Sequence, residues 1–187
     1  QILLPIFNEA ENLPSLVEKI KSVQEQNDIN ISIVFVNDGS TDSTDEEVQK
    51  VFDPSSMKYH KFDKNRGYSA AIKKGIELCN SNGYILLFDS DNQFDFSEIN
   101  LFLDYIDNYD IVIGRRNPRA DNFSRVVLGK IWTLIGKLFF RTKIDDLNCG
   151  FKIFKSSILK NIKIVSNGPG INLDIFSNPK IKASEIK

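Results

Sequence analysis

Short apolar runs that close on polar residues, separated by stretches of helix length, constrain this chain more than any other feature. Ile2 to Phe7 gives way to Asn8-Glu9, and Ile31 to Val36 gives way to Asn37-Asp38-Gly39-Ser40. Met57 to Phe62, Tyr84 to Phe88 and Asp110 to Gly114 are further strand candidates, and the fourth runs straight into Asp89-Ser90-Asp91. Between the first two runs, from about residue 11 to 26, Leu13, Leu16, Val17, Ile20 and Val23 recur at helical spacing. Ser43 and Glu46 have the spacing of a capping box, which predicts a helix start there. Residues 68–81 and 97–106 also read as helices, with a turn at Asn82-Gly83. The pattern predicts an α/β fold with a mostly parallel central sheet flanked by helices on both faces.

Sheets of this kind bind ligands beyond the carboxyl ends of their strands. The clusters Asn8-Glu9, Asp38-Gly39-Ser40 and Asp89-Ser90-Asp91 should therefore meet along one rim. A single strand-end Asp is often only a helix cap, but three clusters at strand tips point to a site. Within it, Asp89 and Asp91 repel one another unless a cation lies between them, and oxygen ligands suit Mg²⁺ or Mn²⁺. The plainer alternative is that Asp91 and Asn92 only make a turn.

Composition narrows the field further. At 187 residues and 41% hydrophobic, the chain can bury one sizeable core, so a single domain over 1–187 is expected. A formal net charge of -1 argues against a nucleic-acid binder. Cys79 and Cys149 lack metal-ligand spacing and read as free thiols, and the lone His60 reads as structural, leaving little room for a His-based triad or a zinc site. No signal peptide is visible, and no apolar run reaches the roughly 18 residues needed to span a bilayer. Both ends read as cut, since Gln1-Ile2-Leu3-Leu4 starts inside a strand and Ser184-Glu185-Ile186-Lys187 carries no stop signal. Membrane segments beyond either end stay open. There is no Gly-x-x-x-x-Gly-Lys-Ser/Thr loop and no Gly-x-Gly-x-x-Gly after the first strand, which counts against P-loop enzymes and dinucleotide dehydrogenases. Sugar or nucleotidyl transfer remains.

The motifs in their order resemble family 2 glycosyltransferases with the GT-A fold. They are Pro5-Ile6-Phe7-Asn8-Glu9 with Asn12, Val36-Asn37-Asp38-Gly39-Ser40-Thr41-Asp42, Asn65-Arg66-Gly67 with Ala70, Ala71 and Gly75, and Asp89-Ser90-Asp91 with Gln93. Gly114-Arg115-Arg116, Ser124-Arg125 and Asn148-Cys149-Gly150-Phe151-Lys152 are similar to the dolichol-phosphate mannose synthase branch. The resemblance implies Pro5, Phe7 and Glu9 along the nucleoside, Asp38 on the base, and Arg66 and Gly67 near the nucleotide. It implies Asp89, Asp91 and Gln93 around Mg²⁺ or Mn²⁺ and the donor diphosphate. Arg115 or Arg116, together with Arg125, would face donor or acceptor phosphates, where guanidinium forks match oxygen pairs. Phe7 stands where many relatives have Tyr, and Asn37 replaces a frequent Asp.

The implied activity is inverting transfer of a sugar from a GDP- or UDP-linked donor to a polyprenyl (dolichyl or undecaprenyl) phosphate. Such an acceptor is already an anion and has little need of a base; Asp174, in Asn172-Leu173-Asp174, resembles a late acidic position and is the base candidate. A glycan or lipid-linked saccharide hydroxyl as acceptor, or a nucleotide-sugar-binding module without turnover, remain alternatives. Between Arg115 and Lys143 eight Lys/Arg residues face Asp121 alone, and Phe123, Val127, Ile131, Leu134, Leu138 and Phe139 fall on one helical side. Such a basic amphipathic helix suits a membrane surface, while a core helix with a solvated far side is the plainer reading. The expectation is an acceptor- and membrane-facing region over 115–154, at the cytoplasmic face of a membrane, peripheral or anchored by segments outside this chain. Gly150 is expected to allow a tight bend into a short strand ending at Phe154.

Overall fold

Every residue of strand β1, Ile2–Ile6, and of β2, Ile33–Asn37, is buried. That is what continuous apolar runs require when both faces of a parallel sheet are covered. The computed structural model describes residues 1–90, 94–115, 131, 133, 134, 137, 144–177 and 181–186. Its further elements are α1 (Leu13–Asn27), α2 (Thr44–Val51), β3 (Met57–Lys61), α3 (Tyr68–Leu78), β4 (Tyr84–Phe88), α4 (Ile99–Ile106), β5 (Ile111–Gly114), β6 (Phe151–Lys155), α5 (Ser156–Asn161), α6 (Ile171–Phe176) and β7 (Ala183–Ile186). Short 3-10 turns at Phe96–Glu98 and Gly168–Gly170 precede α4 and α6.

The sheet runs β3-β2-β1-β4-β6-β5-β7. From β1 the chain steps outward to β2 and β3, then returns across β1 to β4, all in parallel. Right-handed crossovers in opposite directions put α1 and α2 on one face and α3 on the other. The reversal also makes the tips of β1 and β4 the switch point, where open α/β sheets usually hold a ligand in a crevice. There the buried Ser90 hydroxyl donates to the Pro5 carbonyl at 3.3 Å and ties the two tips together.

The sheet is mostly parallel, as expected, and its one antiparallel strand lies in the second half. β6 is antiparallel to both β4 and β5, and β7, absent from the sequence reading, pairs parallel with β5. The reversal brings the start of β6 to the same rim as the tip of β4. Beneath that junction lies an aromatic cluster in which Phe151 stacks on Phe102 at 4.2 Å and meets Phe88 edge-on at 5.1 Å.

Local chemistry explains most element ends. Leu13, Leu16, Val17, Ile20 and Val23 form the buried stripe of α1, as their spacing predicted. The capping box at Ser43 does not form. Asp42, a charged acceptor one residue earlier, takes the Thr44 amide at 3.0 Å instead. Gly83 turns at φ 77° where Asn82-Gly83 was expected to turn. The chain bends at Gly150 directly before β6, as expected, though without a left-handed backbone conformation. Among the described residues, no helix is long and apolar enough to cross a membrane.

Candidate active site

The tips of β1 and β2 are bound to each other through the chain that follows them. After Ile6, Phe7 is 43% exposed and Asn8 turns the backbone at φ 57°. The Asn8 side-chain oxygen accepts from the Thr41 amide at 2.9 Å, and the Asn8 amide donates to the Ser40 hydroxyl at 2.9 Å. The Glu9 amide donates to the Thr44 hydroxyl at 2.8 Å, and its carboxylate accepts from Asn12 at 2.7 Å. Desolvation raises the Asp42 carboxyl, but bonds from the Thr44 hydroxyl and the Thr44 and Ala10 amides outweigh it, leaving Asp42 below the usual carboxylate range.

Asp38 is nearly buried, at 4% exposure, and clasps the loop that follows β3. Its Oδ1 accepts from the Arg66 amide and its Oδ2 from the Gly67 amide, each at 2.8 Å. Gly39, at φ 71°, lets that loop close: a Cβ there would lie 2.4 Å from the Lys64 carbonyl carbon. The Arg66 guanidinium sits over the Phe62 ring, 4.6 Å from its centroid. Behind Asp38, the buried Asn37 donates to the Tyr59 hydroxyl at 3.0 Å, and Tyr59 donates to Asp45. A bond from Lys61 and then one from Tyr59 hold the Asp45 carboxyl below its ordinary value, while burial pushes the Tyr59 phenol well up. The Asn that replaces the frequent Asp thus supplies the amide donor this chain of bonds uses.

At the tip of β4, Asp89 is half-buried, and its Oδ1 lies 3.2 Å from the Tyr68 hydroxyl. Asp91 and Gln93, its expected companions around a metal, lie outside the described residues, as do Arg116 and Arg125. Among the described residues, no three His, Cys, Asp or Glu side chains converge as a metal cage. Asp89 nevertheless fits Mg²⁺ or Mn²⁺ as a hard oxygen donor at the rim, because such ions are commonly held by one or two carboxylates with substrate phosphates completing the shell.

At the tip of β5, Arg115 donates to Asp145 at 2.9 Å and lies 4.0 Å from Glu185. Lys137 also bonds Asp145. Glu185, on the unforeseen β7, accepts the Asp145 and Asp146 amides at 3.0 and 2.7 Å; burial raises its carboxyl, with those amide bonds opposing. Lys152 is buried in β6 and donates to the Cys149 carbonyl. Ile131 and Leu134, from the basic stretch, are 49% and 57% exposed.

Pro5, Phe7, Glu9, Asp38, Arg66, Gly67, Asp89 and Arg115 therefore all sit at or just beyond strand tips on one rim. Asp174 is committed elsewhere. Its Oδ2 accepts from the Val165 and Ser166 amides at 2.9 and 2.7 Å and its Oδ1 from the Ser166 hydroxyl at 3.0 Å, so serving as a base means giving up bonds that hold this loop. The same loop reaches α3, where the Ser69 hydroxyl donates to the Gly168 carbonyl. Both cysteines are buried and neither forms a disulfide, with the Cys79 thiol pushed up to about 11 by burial. The His60 ring packs edge-on to Phe62 at 4.8 Å, with Nε2 buried and unpartnered among the described residues.

Sequence reasoning passed over Tyr68, whose only signal was its place directly after Gly67. It also passed over Tyr59 and Asp45, and over Glu185.

Comparison with known proteins fits this geometry. The family model described as glycosyl transferase family 2 matches residues 1–163. The chain is 30% identical to a dolichyl-phosphate beta-glucosyltransferase of Dictyostelium discoideum, covering 86% of this chain and 55% of that protein. It is 28% identical to a dodecaprenyl-phosphate galacturonate synthase of Rhizobium johnstonii, covering 88% and 50%. The chain thus spans about half the length of these curated relatives. The crystal structure of glucosyl-3-phosphoglycerate synthase from Mycobacterium tuberculosis, in complex with Mn²⁺, UDP-glucose and phosphoglyceric acid, superposes with a TM-score of 0.68 at 15% identity, covering 93% of this chain and 62% of that one. A likeness at that identity speaks to the fold, which is GT-A.

Proposed function

Since the chain belongs to glycosyl transferase family 2, we propose that it carries the donor site of an enzyme that moves a sugar from a nucleotide diphosphate to a polyprenyl phosphate. The observation that carries this reading is the shared rim: Asp38, the Arg66-Gly67 loop and Asp89 stand at or just beyond strand tips around the β1/β4 junction, and Arg115 stands on the same rim at the tip of β5, beyond β6. The names of the two curated relatives support the choice of acceptor.

In this reading the nucleoside lies across the β1 and β2 tips, along Pro5, Phe7 and Glu9, near the Asp38 clasp. Asp89, with Asp91 and Gln93, supplies oxygen ligands for Mg²⁺ or Mn²⁺. When bound, that ion offsets the negative charge gathering on the departing nucleoside diphosphate. Arg115, with Arg116 and Arg125, gives the positive charge that holds an acceptor phosphate. An acceptor oxygen that is already anionic attacks the sugar carbon in one in-line displacement without a deprotonating residue, so Asp174 is left to its structural bonds.

The exposed Ile131 and Leu134, on the stretch that carries the basic excess, suit a membrane surface on the acceptor side. We place the enzyme at the cytoplasmic face of that membrane.

The test is transfer of labelled GDP- and UDP-sugars to short-chain polyprenyl phosphate in detergent, with and without a chelator. Label that enters the lipid phase only with Mg²⁺ or Mn²⁺ present supports the reading. Label that reaches only a saccharide hydroxyl overturns the acceptor, and tight donor binding with no turnover reduces the chain to a binding module.

A further inference from the structure

Gly150 has no side chain because Asp89 occupies the space one would fill. β4 and β6 are antiparallel with Phe88 opposite Phe151, so the next step along the ladder sets Asp89 beside Gly150. The Asp89 amide confirms that step by donating to the Gly150 carbonyl at 3.2 Å. Directly opposed residues in such a pair carry their Cβ atoms on one face, about 4.5–5.5 Å apart. Here the Asp89 side chain leans across the neighbouring strand. A Cβ on Gly150 would lie 1.9 Å from Asp89 Oδ2, 2.4 Å from its Cγ and 2.9 Å from its Cβ. Since the Gly150 backbone is not left-handed, an alanine meets no conformational obstacle there. Its obstacle is the carboxylate.

The other carboxylate oxygen has its own neighbour. The Tyr68 hydroxyl lies 3.2 Å from Oδ1, carried on the first residue of α3, directly after the Gly67 amide that Asp38 holds. Asp89 is therefore set from two sides, by the start of β6 and by the start of α3. A methyl group at 150 drives the carboxylate to rotate about its own side-chain torsions, away from the orientation that Tyr68 supports, and the 2.9 Å approach to Asp89 Cβ, which rotation does not relieve, also makes the β4–β6 pair shift.

We propose that Gly150 and Tyr68 are positioning residues that fix the Asp89 carboxylate in the orientation needed to ligate a divalent cation, Gly150 by leaving space and Tyr68 by its hydrogen bond. The proposal rests on reading Asp89 as a metal ligand. Partners that orient a ligating side chain typically change metal affinity about 10- to 100-fold when removed. Gly150→Ala is expected at the upper end of that range, because it displaces the ligand. Tyr68→Phe is expected near the lower end, because the oxygens stay in place.

The test is Mn²⁺ titration of the chain in the presence of UDP, and separately of GDP, reading free Mn²⁺ by electron paramagnetic resonance, with metal-free melting temperature measured alongside. The expected result is a large rise in Mn²⁺ dissociation constant for Gly150→Ala, with a lowered metal-free melting temperature, and a smaller rise for Tyr68→Phe, with metal-free melting unchanged. Mn²⁺ affinity equal to wild type in both variants overturns the positioning role while leaving the metal reading intact. A wild-type chain that binds no Mn²⁺ with either nucleotide overturns the metal reading and this role with it. Should Gly150→Ala fail to fold, Tyr68→Phe decides, and an unchanged dissociation constant there counts against the proposal.

Discussion

The tips of β1 and β2 hold their polar side chains through backbone amides, whereas the region beyond β5 holds several of its own through other charged side chains. Asp38 takes the amides of Arg66 and Gly67, Asn8 that of Thr41 and Asp42 that of Thr44. Arg115 and Lys137 instead both pair with Asp145, with 37%, 42% and 38% of these side chains exposed. An amide donor has no side-chain freedom to lose, so the first arrangement is rigid and insensitive to salt. Exposed ion pairs are worth little and are screened, so the second can exchange partners cheaply. The contrast matches a site that grips one kind of donor at its first half and admits a phosphate carried by a long lipid at its second.

The largest effect should come from breaking the rigid side. Asp38→Ala removes two hydrogen bonds to a nearly buried carboxylate and is expected to lower unfolding free energy by about 3 kcal/mol, measured by urea denaturation, and to raise the KM for donor. Next is Asp174→Asn, which should cut kcat less than tenfold and leave the pH–rate profile unmoved. A general base would cost on the order of 10² to 10⁴-fold, and the loss of one limb of that profile would restore Asp174 to the chemistry. On the exchangeable side, Arg115→Ala should cost less than about 1 kcal/mol of stability while weakening acceptor use at low salt more than at high salt. A stability loss as large as that of Asp38→Ala would erase the contrast. The smallest effect concerns pH. Asp45 has its carboxyl lowered in the folded state by Lys61 and Tyr59; its contribution is therefore present above the ordinary Asp range and fades as pH falls through the lowered folded value. Tyr59→Phe should flatten that acid limb slightly in melting curves taken from pH 6 to pH 2.

The same divide governs how much of the fold and site was legible in the sequence. β1 to β4 and their helices announce themselves because strands buried on both faces must be continuous apolar runs, and α1 must show its stripe at helical spacing. The Asp38 and Asp89 tips follow from that pattern alone. β7 does not, because Ala183–Ile186 is only half-buried and carries no apolar run. The bend at Gly150 was legible from a glycine standing before a strand, but only the β4–β6 register reveals the carboxylate beside it. Ser43 and Glu46 marked the helix start, since α2 begins at Thr44 with Ser43 as its N-cap, but the Ser43 side chain makes no capping bond and Asp42 accepts the Thr44 amide.

The central claim is that carboxylates at strand tips hold a divalent cation against the donor diphosphate. A crystal soaked with Mn²⁺ and UDP or GDP tests it most directly through anomalous scattering at the manganese edge. The account predicts a peak within bonding distance of an Asp89 carboxylate oxygen and of the nucleotide diphosphate, at the β1/β4 junction. Nucleotide bound at that junction with manganese-free density around Asp89, or manganese bound at another surface, would contradict it.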